Sequence, residues 1–421
     1  MLSTVRACAT ALALALAIGL AAAPARAQFW PEVTDKEKKG RFRAGPVALT
    51  PRLELKNAGV DTNVLIAPTN PVEDTSIVLR LSSDLFVPAG RRVRVAGTAW
   101  LDFNYFASES DQRSTDPGAQ GRVEVDAGQL TFVAGGGAFH SRQLYSTDID
   151  ERVKRTEEWL NGGVRLRLTS LLRLDAGVED HRYRWYPTPE QDPAIADQLD
   201  HDSTVWKGVL RYKVTPLTHL VASAEKMDDT FLVAPPGLAT TTSYRYLAGF
   251  EFGEKAFLTG RFVGGVRSIP EDDAGSVAPY TGPAFQGSIA LPFLQRFRLN
   301  LSYDRDVYYS ATGGLIASGL LRNTYTYSRL GAGLGIDMPF AMVVRLTGGY
   351  DDAKYLRPYP VPGDGLIDRR DQLALGGVSL LRRFGDRALL GISALHTHRT
   401  SNYPGADYNR WQYGLQGSIN P

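Results

Sequence analysis

The stretch Val47–Lys56, VALTPRLELK, decides the fold. Val47, Leu49, Pro51, Leu53 and Leu55 alternate with Ala48, Thr50, Arg52, Glu54 and Lys56. A period of two is a strand with one apolar and one polar face. In a soluble sheet the apolar face packs into a core and the other face meets water. In a membrane barrel the apolar face meets lipid and the ionic face is enclosed.

The same alternation recurs to the C-terminus, with connectors that are short and long by turns. Eight short turns fall at Pro88–Arg91, Ala127–Gln129, Thr169–Leu171, Thr215–Thr218, Gly253–Lys255, Pro292–Gln295, Asp337–Ala341 and Arg382–Arg387. Longer polar connectors lie near Ala58–Asp74, Ala107–Gly118, Ser146–Arg155, Pro187–Asp202, Asp228–Thr242, Ile269–Tyr280, Ala311–Leu321, Ala353–Arg369 and Ser401–Ala406. This predicts an all-β chain: a closed antiparallel transmembrane β-barrel of about 18 strands, 16–18 being the range, with short periplasmic turns and long extracellular loops. Closure is required because every strand in lipid must satisfy its backbone hydrogen bonds. The barrel is expected over residues 46–421, and Pro187–Asp202 and Ala353–Arg369 are the loops long enough to narrow its bore.

The polar face supplies the candidate lumen wall: Arg52, Glu54, Arg92, Arg94, Asp102, Arg122, Glu124, Arg165, Arg167, Arg173, Asp175, Lys207, Arg211, Arg298 and Asp304. Both signs interleave strand after strand. Charges alone would also suit a solvated outer face, so the aromatics decide. Phe252, Phe257 and Phe297 sit beside short turns, while Tyr244, Tyr246, Trp411 and Tyr413 crowd the long-loop ends, together with Tyr183, Trp185, Tyr325 and Tyr327. Leu172, Leu174, Ala176 and Val178 exemplify the aliphatic middle. Two aromatic girdles around such a middle suit a lipid-facing surface, since amphipathic rings favour the headgroup level.

Residues 1–27 read as a secretory signal peptide, with Arg6, the apolar run Ala11–Leu20 and a small-residue end at Ala25-Arg26-Ala27, cleaved near Ala27. Residues 28–45 then form a short periplasmic segment, too short for a plug. Cys8, the single cysteine, leaves with the signal, which removes disulfide and thiol chemistry. Arg6 and Arg26 leave too, so the 47 basic residues fall to 45 against 45 acidic ones. That neutrality argues against a nucleic-acid partner. Beyond Ala27 no apolar run approaches the ~18 residues of a membrane helix, and only Pro193–Leu199 looks helical.

Chemistry is sparse. Gly331, Gly333 and Gly335 sit inside a strand with the wrong spacing for a dinucleotide loop; glycines there relieve crowding. His396 and His398 share a face without further visible ligands, so they read as pore-lining or interfacial. Acidic loop residues such as Asp148, Asp200 and Glu271 read as solvated. No cofactor, metal or catalytic residue is expected, and the chain does not read as an enzyme. Arg92, Arg94, Arg167, Arg173, Arg298, Arg382 and Arg383 gather near the short turns and would favour anions if they line the lumen there.

The segment Phe42–Leu65, FRAGPVALTPRLELKNAGVDTNVL, resembles the opening of the β-barrel porins called the BBP2 family, an extended strand running into a D-x-N turn at Asp61-Thr62-Asn63. Gly121–Arg142 and Arg155–Gly163 resemble that family's strand layout. The resemblance implies an outer-membrane barrel, sometimes associated with exopolysaccharide secretion, and supplies no catalytic residues. The expected function is passive diffusion of small hydrophilic solutes through a porin-like channel with a charged lumen. The alternative is an accessory barrel of an exopolysaccharide export system. Expected partners are outer-membrane lipid and lipopolysaccharide, the barrel insertion machinery, and small hydrophilic solutes or polysaccharide.

Overall fold

The computed structural model describes residues 40–143, 152–188, 196, 199–233, 240–253, 256–271, 277–310, 323–361 and 365–420. The expected signal peptide and the loop Ala311–Leu321 lie outside these residues, as does most of Pro193–Leu199, of which Ala196 and Leu199 are helical.

From Val47–Asp61 onward each strand of the main sheet pairs antiparallel with the next, the short hairpin Tyr359–Val361 and Gly365–Ile367 standing apart in a sheet of its own. The last, Tyr408–Ile419, pairs back onto the first, Leu53 opposite Ile419 and Val60 opposite Tyr413. The sheet is therefore closed. It counts 19 strands because the three-residue strand Phe42–Ala44 folds back on Val47–Leu49 across Gly45; the other 18 form the barrel. These barrel strands run from 11 residues in Thr259–Ile269 to 16 in Asp74–Ala89. A tilted strand needs ~9–11 residues to cross hydrocarbon. The excess stands above the membrane: Thr218–Phe231 and Thr240–Phe252 extend well into the segment Asp228–Thr242, which the sequence reads as a loop.

Among the described residues the short turns form where the sequence places them, while Glu254 and Lys255 of the turn expected at Gly253–Lys255 lie outside those residues. Gly90, Gly128 and Gly385 take left-handed φ of +77°, +76° and +61°, which a glycine adopts without a Cβ clash. Leu294–Gln295 and Phe340–Ala341 are consecutive left-handed pairs at φ near +50° to +61°; their twist matches that of the flanking strands.

The opening alternation resolves as follows. Leu49, Leu81, Val378 and Ile392 are 37%, 43%, 47% and 58% exposed, although they sit in mid-strand among hydrogen-bonded neighbours. Every part of the circumference contributes such residues, Phe132, Leu210, Leu220, Phe262 and Leu415 among them. A soluble monomer does not expose apolar surface as a continuous belt; lipid covers it at no cost. Among the described residues no helix is long and apolar enough to cross a membrane; the exposed apolar belt lies on the strands.

A β-bulge interrupts Val47–Asp61, where the register slips between Leu55 and Asn57. Up to Lys56 the even-numbered side chains carry the ionic face, as in Arg52 and Lys56. Beyond it Asn57 and Asp61 carry the polar contacts. One extra residue flips the facing of everything after it.

Candidate functional site

Only a side chain on the concave face of a barrel can touch another across intervening strands, so long-reach contacts identify the lumen. Arg245 Nη1 donates to Asp306 Oδ2 at 2.7 Å although two strands lie between them. Tyr309 Oη donates to Asp229 Oδ2 at 2.7 Å across three intervening strands. Lys56 Nζ reaches Asp102 Oδ2 at 3.2 Å over the strand Asp74–Ala89. The ionic face is enclosed.

Along that face the charges are tied into a succession of ion-paired clusters. Arg52 pairs with Asp84, and Arg80 grips Asp102 through Nε at 2.7 Å and Nη2 at 2.6 Å. Arg94 reaches both Glu124 and Asp126 at 3.0 Å, with Arg122 Nε 3.6 Å from Glu124. Asp175 pairs with Arg211 and has Arg173 Nε at 3.4 Å and Arg165 Nε at 3.6 Å. Arg211 Nε continues to Glu251 at 3.2 Å. Lys207 Nζ and Arg245 Nε converge on Glu225 at 2.7 Å and 2.8 Å. Asp304 accepts from Tyr308 Oη at 3.3 Å, and Glu54 faces Arg80 in register. Buried charges persist only when paired, and Lys207, Arg211, Glu225 and Asp175 are all buried.

Three expected wall residues stand at the rim instead. Arg92 falls in the exposed turn before Val93, where the strand has not begun. Arg167 donates from Nη2 to the Gly128 carbonyl of a neighbouring turn at 2.6 Å. Arg298 is bound to Asp337 at 2.9 Å, close to the turn after Asp337. Arg382 points outward and lies over Phe384, 5.5 Å from the ring centre. The inward arginine beside it is Arg383, whose Nη2 also reaches Asp337 at 2.7 Å. Arg298, Gly335 and Arg345 are register partners in one row, and Arg345 sits within electrostatic reach of Arg298 and Arg383. Two guanidiniums thus hold one carboxylate in the periplasmic half, with a third, Arg345, beside them.

The aromatics divide. Tyr246, Trp411 and Tyr413 are exposed on the outer face, with Tyr244 on the same parity; the Trp411 and Tyr413 rings lie parallel with centroids 5.5 Å apart. Phe252 stacks beside outward Phe250, and Phe297 beside Phe293. Phe257 is exposed in a short-turn segment. His396 packs on Trp411 at 4.4 Å and is therefore interfacial. Tyr183, Trp185 and Tyr325 do not join the outer girdle: all three are buried on the inner side. They share odd parity with Arg173, Asp175 and Arg329, so the alternation held the signal and nearness to a loop end misled.

At the extracellular mouth, Val153, Trp185 and Leu199 cluster with Ala196 and Tyr309. The hairpin Tyr359–Val361 and Gly365–Ile367, inside the connector Ala353–Arg369, packs on inward Tyr325 and Tyr355. Arg369 closes it, 4.7 Å from the Tyr355 and Tyr403 rings and 4.8 Å from Tyr359, while sharing Asp371 with Arg399 at 2.9 Å each. Nearby, where the last strand meets the first, burial and the guanidiniums of Arg410 and Arg142 push Arg152 down to about 10, opposed by the Asp61 carboxylate.

Among the described residues no cluster of His, Cys, Asp or Glu could hold a metal ion. No family model matches the chain, and no curated protein does. Among solved structures, it is similar to OpdO of Pseudomonas aeruginosa (TM-score 0.48, 14% identity, 88% of this chain and 97% of that one). It is also similar to the outer membrane protein OpdK of Pseudomonas aeruginosa (0.49, 12%, 88% and 98%). A third is OccAB3 of Acinetobacter baumannii (0.47, 12%, 88% and 99%).

Proposed function

We propose that the protein is an outer-membrane channel through which small hydrophilic solutes diffuse, guided by an ion-paired lumen. The observation that carries this reading is the inversion of the ordinary protein: the ionic face is enclosed and cross-linked over intervening strands, and the aliphatic face is exposed all round. Strand numbers of this size enclose an aqueous bore. No covalent step is involved. Membership of the BBP2 family rests on Phe42–Leu65 and the Asp61-Thr62-Asn63 turn. Planar-bilayer recording of the refolded chain tests the channel; discrete conductance steps are expected, and their persistent absence at high protein load rejects it.

The periplasmic half should prefer anions, because Arg298 and Arg383 share the Asp337 carboxylate and Arg345 stands beside them with no carboxylate among its charged neighbours. A unit charge about 8 Å from the ion path in water is worth about 0.5 kcal/mol, or about twofold in occupancy. Each arginine favours anions and disfavours cations by that factor, so the Arg345→Ala/Arg383→Ala double variant should lower the anion-to-cation permeability ratio by about sixteenfold, measured as the reversal potential in a salt gradient. An unchanged potential would remove these arginines from the ion path.

The second reading, an accessory barrel of polysaccharide export, is favoured by one observation: aromatic rings line the inside of the wall, where a polymer would meet them. Unchanged polymer secretion after gene deletion would count against it.

A further inference from the structure

Register pairing places Trp100, Gly118, Phe139, Glu157, Tyr183, His201 and Phe231 in one row across seven consecutive strands. A row of paired residues runs perpendicular to strands that are themselves tilted by about 35–45°. It is therefore a ramp and not a ring. The strand positions agree: Trp100 lies six residues below the outer end of its strand, Phe139 four, Tyr183 three, and Phe231 is the last residue of its own. The ramp climbs from mid-barrel to the mouth. Its upper rings, Tyr183 and Phe231, are buried; its lower rings, together with Trp159, are only partly buried.

The two indoles lie against the wall, and Phe139 stands between them, tilted 43° from Trp100 and edge-on at 66° to Trp159. A Cβ added to Gly118 would fall 2.2 Å from the Trp100 ring, and one added to Gly137 would fall 2.5 Å from that of Trp159. Glycine on the adjacent strand lets each indole rest on backbone, leaving one face turned to the lumen. Ring centres are 6.4 Å apart from Trp100 to Phe139 and 6.2 Å from Phe139 to Trp159. Gln120 is exposed beside Gly118, and Asn161 follows Trp159 on the same face.

We propose that Trp100, Phe139 and Trp159 form a stacking track for a neutral linear saccharide, a reading that rests on the channel function above. A pyranose presents a C–H-lined face to an aromatic ring and hydroxyls at its rim, where Gln120 and Asn161 stand. A small aromatic acid is the poorer fit. Indoles laid against a wall make no slot around it, and the nearest cations, Arg80 at 6.0 Å from the Trp100 ring centre and Arg155 at 5.3 Å from that of Phe139, are engaged with Asp102 and Glu157.

The test is planar-bilayer recording of the refolded full chain with maltohexaose, cellohexaose and, separately, sodium benzoate. At least one hexasaccharide should interrupt the ion current reversibly. Trp100→Ala and Trp159→Ala should each weaken that block about tenfold while leaving the ion conductance intact, and Trp159→Phe should retain most of it. Heat-modifiable gel mobility verifies that each variant is folded. Block by benzoate alone, no block by either hexasaccharide, or block unaltered in both folded alanine variants overturns the track. Absence of any current overturns the channel reading instead. The track is then read by tryptophan fluorescence of the barrel in detergent, where a spectrum unmoved by both hexasaccharides rejects it.

Discussion

Replacing Asp61 by alanine should destabilise the folded barrel by about 3–5 kcal/mol, because it strands a buried guanidinium at the seam where the barrel closes. Asp61 is fully buried and accepts from Arg410 Nε at 2.9 Å and from Gln412 Nε2 at 3.2 Å. Both donors belong to the last strand, so the carboxylate ties the first strand to the final one. Its neighbours in the D-x-N turn do the same: Thr62 N donates to the Trp411 carbonyl at 3.0 Å, and Asn63 Nδ2 to the Asn409 carbonyl at 3.2 Å. Removing Arg410 as well should recover part of the loss, since the double variant leaves no uncompensated charge. Urea titration of Asp61→Ala, Arg410→Leu and the pair, followed by heat-modifiable mobility, reads the cycle. A double variant as unstable as the sum of the singles would show that the two side chains do not act together.

The turn that carries the family resemblance in the sequence is thus a closure staple in the structure, and its role was not legible there. Sequence alternation reveals which face a residue takes, so the enclosure of Arg94, Arg122, Asp175 and Lys207 could be read from VALTPRLELK and its repeats. It reveals nothing about the circumference. Arg245 meets Asp306, and His201 meets Tyr309, only because the sheet curls until strands far apart in the chain face each other. The bulge after Leu55 is equally silent, since one unpaired residue leaves no mark on composition. Arg92 shows the limit at the ends of strands, where a shift of a single residue decides between wall and rim. The inward aromatics were within reach of parity alone, because Trp100 shares its phase with Arg94 and Asp102.

Glu225 is the position where lumen charge and stability meet, and Glu225→Ala should cost about 3–5 kcal/mol. Its carboxylate is buried and compensates Lys207 and Arg245 together, at 2.7 Å and 2.8 Å. Arg245 keeps Asp306 as a second partner at 2.7 Å, whereas Lys207 sits deeper, with 3% of its side chain exposed. The greater part of the loss should therefore trace to the lysine. Glu225→Gln preserves shape and hydrogen-bond acceptance while removing the charge, so it should fall between the wild type and alanine. Lys207→Met in the Glu225→Gln background should restore stability, because it removes the ammonium that has lost its counter-charge. Urea titrations of the refolded variants measure the order wild type, Glu225→Gln/Lys207→Met, Glu225→Gln, Glu225→Ala. If Glu225→Ala unfolds at the wild-type urea concentration, the pair is solvated in the membrane-embedded protein and the lumen at this height is open to water.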